Sequence, residues 1–217
     1  MDLEIVAYCR QMDHAPRFLG SQFMKVFPLP QEVASHHPGL RTIHWLMAAL
    51  IFVTLPLGVW ASLLPSGGSA RIEILFFHKS IGVTVLGLIA LRIVWRLIVG
   101  APAYAEPLGK LTQVASRAGH FALYALLIAM PVSGYLGSTA GGRPVSWFGL
   151  FELPRLVAKD RSLAVAASWA HLVFAWMLAF ALAAHLGAVA WHAMIKRDSV
   201  LTRMWPSFRS ASSSGAS

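Results

Sequence analysis

Four histidines of the chain stand where imidazole could do coordination chemistry: His44, His78, His171 and His185. His171 and His185 are 14 residues apart, which on an α-helix is ~21 Å of rise and nearly a whole number of turns, so the two rings share one face at separate heights. In an antiparallel bundle His44, opening a first helix, falls level with His185, late in a fourth. His78, opening a second helix, falls level with His171. One imidazole from each of two facing helices is what haem ligation inside a bundle requires, and the pattern supplies it twice. Hydrogen bonding between helices is the plainer role for any single histidine in a span, but it gives no reason for four to sort into level-matched pairs. Zinc matches less well, because two histidines per level without a cysteine or nearby carboxylate fall short of four ligands. Cys9 is the only cysteine, which excludes a disulfide and a Cys-x-x-Cys-His site for covalent haem attachment. The expectation is two haem b groups held by side-chain ligation alone, one by His44 and His185, the other by His78 and His171.

Other residues gather at the same levels. Arg92 follows His78 by 14 residues on one helical face, which carries it to the level of His44 and His185. A guanidinium there can pair with haem propionates, whose charge is costly to bury alone; the simpler role is snorkelling to the interface, as expected of Arg96. His120 begins the third apolar stretch at this level, where it is a third candidate ligand ranked below the four, a propionate or quinone contact, or a plain interface histidine. His192 lies seven residues beyond His185, roughly on its face but toward the interface. Gly82, Gly87, Gly119, Gly134 and Gly137 reduce bulk and would let a flat macrocycle approach the backbone. Pro56 and Pro131 fall inside apolar stretches, where they are expected to kink helices.

The elements that position these residues follow from composition. The 217 residues are 57% hydrophobic and 12% charged, about half the ~25% charge of a soluble domain. Apolar residues gather in four blocks, 40–64, 74–99, 120–136 and 163–195. Stretches near ~20 residues match the ~30 Å hydrocarbon core of a bilayer. One such block could be a buried core helix, but four in series with charges between them read as spans. The fold class expected is all-α: an integral membrane four-helix bundle, up-down-up-down, with haems between helices. Membrane lipid is the expected surrounding, and no nucleic-acid partner is expected.

Residues 1–39 read as a polar leader, either disordered or a misassigned extension with Met24 as the true start. The first apolar block sits behind this segment and lacks a small-residue cleavage site, so no cleaved signal peptide is expected. Residues 40–206 form the membrane domain, and the Ser/Ala-rich tail 207–217 is expected to be disordered. His14, His36 and His37 lie in the leader, where solvent contact is the expected role. The tryptophans, Trp45, Trp60, Trp147, Trp191 and Trp205 among them, fall near span ends as an interface belt requires.

Four spans put both ends of the chain on one side, here side A, and two loops on side B. Twelve lysines and arginines fall on side A and six on side B (Arg71, Lys79, Arg143, Arg155, Lys159 and Arg161), which favours side A as cytoplasmic. Side B stays net basic after Glu73, Glu152 and Asp160 are subtracted, so its surface would draw small anions.

The residues resemble the bacterial cytochrome b561 family. The segments that carry the resemblance are Arg41-Thr-Ile-His-Trp45, His78-Lys-Ser-Ile-Gly82 with Leu91-Arg-Ile-Val-Trp-Arg96, and Gly119-His120 with Met130-Pro-Val-Ser-Gly134. They continue with Ser168-Trp-Ala-His171, His185 and the stretch from Lys196 to Pro206. The resemblance runs from about Pro38 to Pro206; the leader is its main departure. It implies a di-haem b protein of the bacterial inner membrane, with His44, His78, His171 and His185 at the family's axial positions and ubiquinone as electron partner. The resemblance also implies that at least one branch looks like a superoxide oxidase, passing electrons from superoxide at the periplasmic side to quinone; the basic side B is compatible with an anionic donor.

The leading function is therefore electron transfer, with a superoxide:quinone oxidoreductase as its enzymatic form and no catalytic residue assigned. The rival is a cytochrome b subunit that anchors a periplasmic dehydrogenase or hydrogenase as redox partner protein, since such anchors use the same histidine ligation. A transporter without haem fits poorly, because the spans are nearly free of the carboxylates that ion pathways commonly recruit.

Overall fold

The computed structural model describes residues 38–99 and 109–198. Residues 1–37 of the leader, the tail and Trp205 lie outside the described residues, while Pro38 and Gly39 belong to the first helix. Four helices make up nearly all of it: α1 (Pro38–Leu63), α2 (Ser69–Val99), α3 (Lys110–Ala140) and α4 (Arg161–Trp191), the last continuing into a π-helical turn, His192–Lys196. Each is long and apolar enough to cross a membrane. Pro38 opens α1 at a position where its missing N–H costs nothing. Pro56 and Pro131 lie inside α1 and α3, which run on through both.

The apolar blocks underestimate the helices. α3 begins at Lys110, ten residues ahead of His120, because its first turns carry Gln113, Ser116 and Arg117 and reach past the apolar layer. His120 thus sits inside α3 rather than at its start, and His78 lies nine residues into α2. The depth ordering of the histidines is unchanged.

α1 packs along α2 and α3 along α4, with a thinner contact between α2 and α3. The shared core repeats every three or four residues: Ile43, Met47 and Ile51 on α1; Ile81, Val85 and Ile89 on α2; Leu123, Leu126, Leu127 and Met130 on α3; Leu178 on α4. Ile51, Val85 and Leu178 each lie seven residues from the histidines of their helix, midway between the two levels. The outer faces keep large apolar side chains such as Phe52, Val59, Leu97, Trp176 and Phe180 exposed, as lipid contact requires.

Side B is closed by residues 141–160, which form a small hairpin rather than a plain solvated loop. Strands β1 (Ser146–Trp147) and β2 (Phe151–Glu152) pair antiparallel around a turn in which Phe148 and Gly149 both have positive φ, 49° and 75°. A phenylalanine is costly there, and the cost is offset by Ser80. That fully buried hydroxyl accepts from the Phe148 N–H at 3.0 Å and lies 3.2 Å from the Ser146 carbonyl. Trp147 turns inward and donates from Nε1 to Thr84 Oγ1 at 3.0 Å, so unlike Trp45, Trp60 and Trp191 it is no member of an exposed belt. Tyr135 ties the far end of the loop, donating to the Pro154 carbonyl and accepting from the Leu156 N–H. Asp160 caps α4; the Ser162 hydroxyl and the Leu163 and Ser162 N–H groups hold its carboxyl below the usual carboxylate range.

Ser80→Ala leaves the Phe148 N–H without its partner, a loss worth ~1–3 kcal/mol when buried. The expected result is roughly tenfold faster tryptic cleavage after Arg155 with helix content unchanged. Cleavage at the wild-type rate would mean that packing alone holds the hairpin.

Candidate functional site: paired histidines at two levels

At the side-B level His78 of α2 faces His171 of α4, ring centroids 6.1 Å apart and planes at 84°. Each ring is tied to the neighbouring helix in the same way. His78 Nδ1 donates to the Thr54 carbonyl of α1 at 2.9 Å, with Thr54 Oγ1 3.3 Å from the same nitrogen. His171 Nδ1 donates to the Met130 carbonyl of α3 at 2.9 Å, with Ser133 Oγ at 3.2 Å. A carbonyl can only accept, so Nδ1 carries the proton in both rings and the neutral imidazole keeps its lone pair on Nε2. That is the arrangement in which histidine binds a metal, the second nitrogen being fixed by an outer partner.

A glycine sits beneath each of these rings. A Cβ on Gly58 of α1 would lie 2.8 Å from His78 Cε1, and one on Gly134 of α3 would lie 2.9 Å from His171 Cε1. Real Cβ atoms do not approach that closely, so both positions exclude even alanine unless the imidazole moves. Gly134 therefore makes room for an imidazole rather than for a macrocycle. Gly137 makes room for Ser168 of α4, and Gly82, Gly87 and Gly119 face open space.

At the side-A level His44 of α1 and His185 of α4 are 6.5 Å apart between ring centroids, with planes at 79°. His120 of α3 joins them, 5.6 Å from His185, its Nδ1 donating to the Ser116 carbonyl one turn back at 2.7 Å. Arg92, only 6% exposed, donates from Nη1 to the Leu40 carbonyl and from Nε to the Tyr124 hydroxyl at 3.3 Å. It thus fastens α2 to α1 and α3 with two of its five N–H donors. At the end of α4, His192 Nδ1 is hydrogen-bonded to Asp198 Oδ2 across the π-helical turn, which Arg197 closes at φ 50°.

Sequence reasoning missed Gly58, Thr54 and the His192–Asp198 pair. A signal for Gly58 was present. It follows His44 by 14 residues, and Gly134 follows His120 by 14, the interval that also relates His78 to Arg92 and His171 to His185. Each helix therefore shows the two levels a matched pair of residues on one face. The α1–α2 half and the α3–α4 half repeat one device.

The sequence profile of the family described as prokaryotic cytochrome b561 matches residues 35–207. The chain belongs to the prokaryotic cytochrome b561 family. Cytochrome b561 homolog 2 of Escherichia coli (strain K12) is 35% identical over 161 residues, 74% of this chain and 86% of that protein. The protein named probable superoxide oxidase CybB of Yersinia pestis is 28% identical over 170 residues, covering 77% of this chain and 93% of its own length. Cytochrome b561 homolog 1 of Escherichia coli (strain K12) is 26% identical over 171 residues, 76% and 93% of the two chains. This b561 protein is thus a multi-pass bacterial membrane cytochrome b of an electron-transport family, and membership implies haem b binding.

The residues present fit that group. With an iron–nitrogen bond of about 2 Å on either side and about 1.1 Å from nitrogen to ring centre, two imidazoles holding one haem would have their ring centres roughly 6.2 Å apart. The separations of 6.1 Å for His78–His171 and 6.5 Å for His44–His185 agree with that spacing better than the 5.6 Å of His120–His185.

Proposed function

We propose that this cytochrome b561 carries two haems and moves electrons from a donor at side B to quinone at side A. His78 and His171 hold the haem nearer side B; His44 and His185 hold the other. The observation that carries this reading is the matched imidazole pairs, with both side-B rings held through Nδ1 so that Nε2 is the ligating atom. Bound haem supplies reversible one-electron chemistry at its iron.

The rest is the work of the chain. The Thr54 and Met130 carbonyls fix the tautomer and the tilt of the side-B ligands. Arg92, buried at the side-A level, has donors beyond those spent on Leu40 and Tyr124 for the propionates of the haem there. His120, beside His185, is the quinone-contacting group and can hold a proton for it.

Superoxide is the donor we favour. Each superoxide gives up one electron and leaves as dioxygen, and two such electrons with two protons turn quinone into quinol. Support comes from the basic side B, from Arg71 to Arg161, and from the relative named as a probable superoxide oxidase. The excess of cations on side A supports its assignment as the cytoplasmic face of the inner membrane, with both termini there.

The test is haem quantified per chain by reduced-minus-oxidised spectra, together with ubiquinone reduction by a superoxide source. Two b-haems per chain and quinol formation abolished by superoxide dismutase are expected. Full haem without superoxide-driven quinol would remove the donor assignment, and a stoichiometric dehydrogenase or hydrogenase subunit in a mild-detergent extract would then replace it with the anchor reading. Well-folded protein without haem would end both.

A further inference from the structure

Between the side-B end of α3 and the first turns of α4 lies an open cavity of about 720 Å³. Arg143, Lys159 and Arg161 form its polar rim; Val165, Trp169 and Leu172 form its apolar wall. The three wall residues are exposed on the outer face of α4, where the spanning fold meets lipid. At 100° per residue they lie roughly 100–160° around α4 from His171, which turns to Met130 and His78 instead. The cavity is therefore separate from the paired histidines.

Its cations are held by the local fold. α3 ends with Gly142 at φ 76°, closed by bonds from the Gly142 N–H to the Thr139 carbonyl and from the Arg143 N–H to the Ser138 carbonyl, both 2.9 Å. The Lys159 stem crosses Gly142 so closely that a Cβ there would come 2.5 Å from Lys159 Cε. The Asp160 N–H returns to the Ala140 carbonyl at 3.0 Å and draws the loop against α3. Asp160 is the one acid among the lining residues, and its carboxylate is committed to the first N–H groups of α4. Three cations thus stand above an apolar wall that opens to lipid, the shape and charge of a phospholipid with an anionic headgroup.

We propose that this cavity binds an anionic phospholipid of the side-B leaflet, its phosphate among Arg143, Lys159 and Arg161 and an acyl chain along Val165, Trp169 and Leu172. A small free anion would use the rim and leave the Trp169 wall without a role. The inference rests on the membrane-spanning fold and not on the haem reading.

The test uses the full chain, delipidated in detergent, with phosphatidylglycerol and phosphatidylcholine of identical acyl chains, and bound lipid counted by native mass spectrometry. Phosphatidylglycerol should be held in preference. Combined Arg143→Gln, Lys159→Gln and Arg161→Gln should weaken it on the order of a hundredfold, at about a factor of five for each cation, whereas Arg155→Gln on the same loop should not. Trp169→Ala should weaken the lipid and leave the binding of inorganic phosphate unchanged. Lys159→Gln alone carries the test if the triple variant loses its helical content. Equal retention of the two lipids, or wild-type retention by the rim variants, overturns the proposal. Displacement of the lipid by inorganic phosphate at equal concentration overturns it too, by reducing the site to one for small anions.

Discussion

Replacing His78 or His171 with alanine is expected to remove one b-type haem per chain and leave the other, with either variant giving the same spectrum. Both rings belong to one level and face each other at 6.1 Å, so loss of either breaks the same pair. His44→Ala and His185→Ala should remove the complementary haem. His120→Ala should leave two haems and slow quinone reduction, because its 5.6 Å separation from His185 is short for a ligand across an iron. Haem counts by difference spectroscopy decide this. If His120→Ala lost a haem while His44→Ala kept both, the side-A ligands would be His120 and His185.

The second large effect falls on glycines that touch no cofactor in this scheme. Gly58→Ala and Gly134→Ala should each disturb the haem nearer side B while raising helix propensity, a combination that a general loss of stability would not produce. The added methyl would stand 2.8 Å and 2.9 Å from Cε1 of His78 and His171, and overpacking of this kind costs ~1–3 kcal/mol. The ring can relieve it only by tilting away from the Thr54 or Met130 carbonyl. A higher midpoint potential, from an imidazole made a weaker donor, or partial loss of the side-B haem should follow, with the side-A haem untouched. Gly87→Ala is the control, because nothing stands near its Cβ position. Unchanged side-B spectra and potentials in both variants would show that the carbonyl contacts do not set the ligand geometry.

Much of this was legible before the fold, because helical periodicity maps residue number onto height and azimuth. The antiparallel order of the helices, with the fourteen residues between His171 and His185, sorted His44 with His185 and His78 with His171, and the structure brings the same partners within 6.5 Å and 6.1 Å, edge to face. Gly58 followed the same arithmetic but stayed invisible, since a glycine shows its purpose only when the ring of another helix lies against it. The first turns of α3 were missed because hydropathy reports where lipid begins and not where hydrogen bonding stops. The side-B hairpin was illegible for a different reason. Its turn places Phe148 at positive φ, against local preference, and the compensation comes from Ser80, 68 residues away in the chain. Such tertiary override leaves no local mark.

The layer of Ile51, Val85 and Leu178 between the two histidine levels also has an electrical meaning. It is a dielectric spacer. A charge passed between the levels crosses about 21 Å of a hydrocarbon core about 30 Å thick, and so feels roughly two-thirds of the membrane voltage, about 1.6 kcal/mol per 100 mV. If side A is the cytoplasmic, negative side, as proposed, an inward electron would climb that field and each turnover would charge the membrane further. Turnover in sealed vesicles should therefore accelerate when an ionophore collapses the potential. A rate indifferent to voltage would mean that the two levels lie at nearly the same electrical depth.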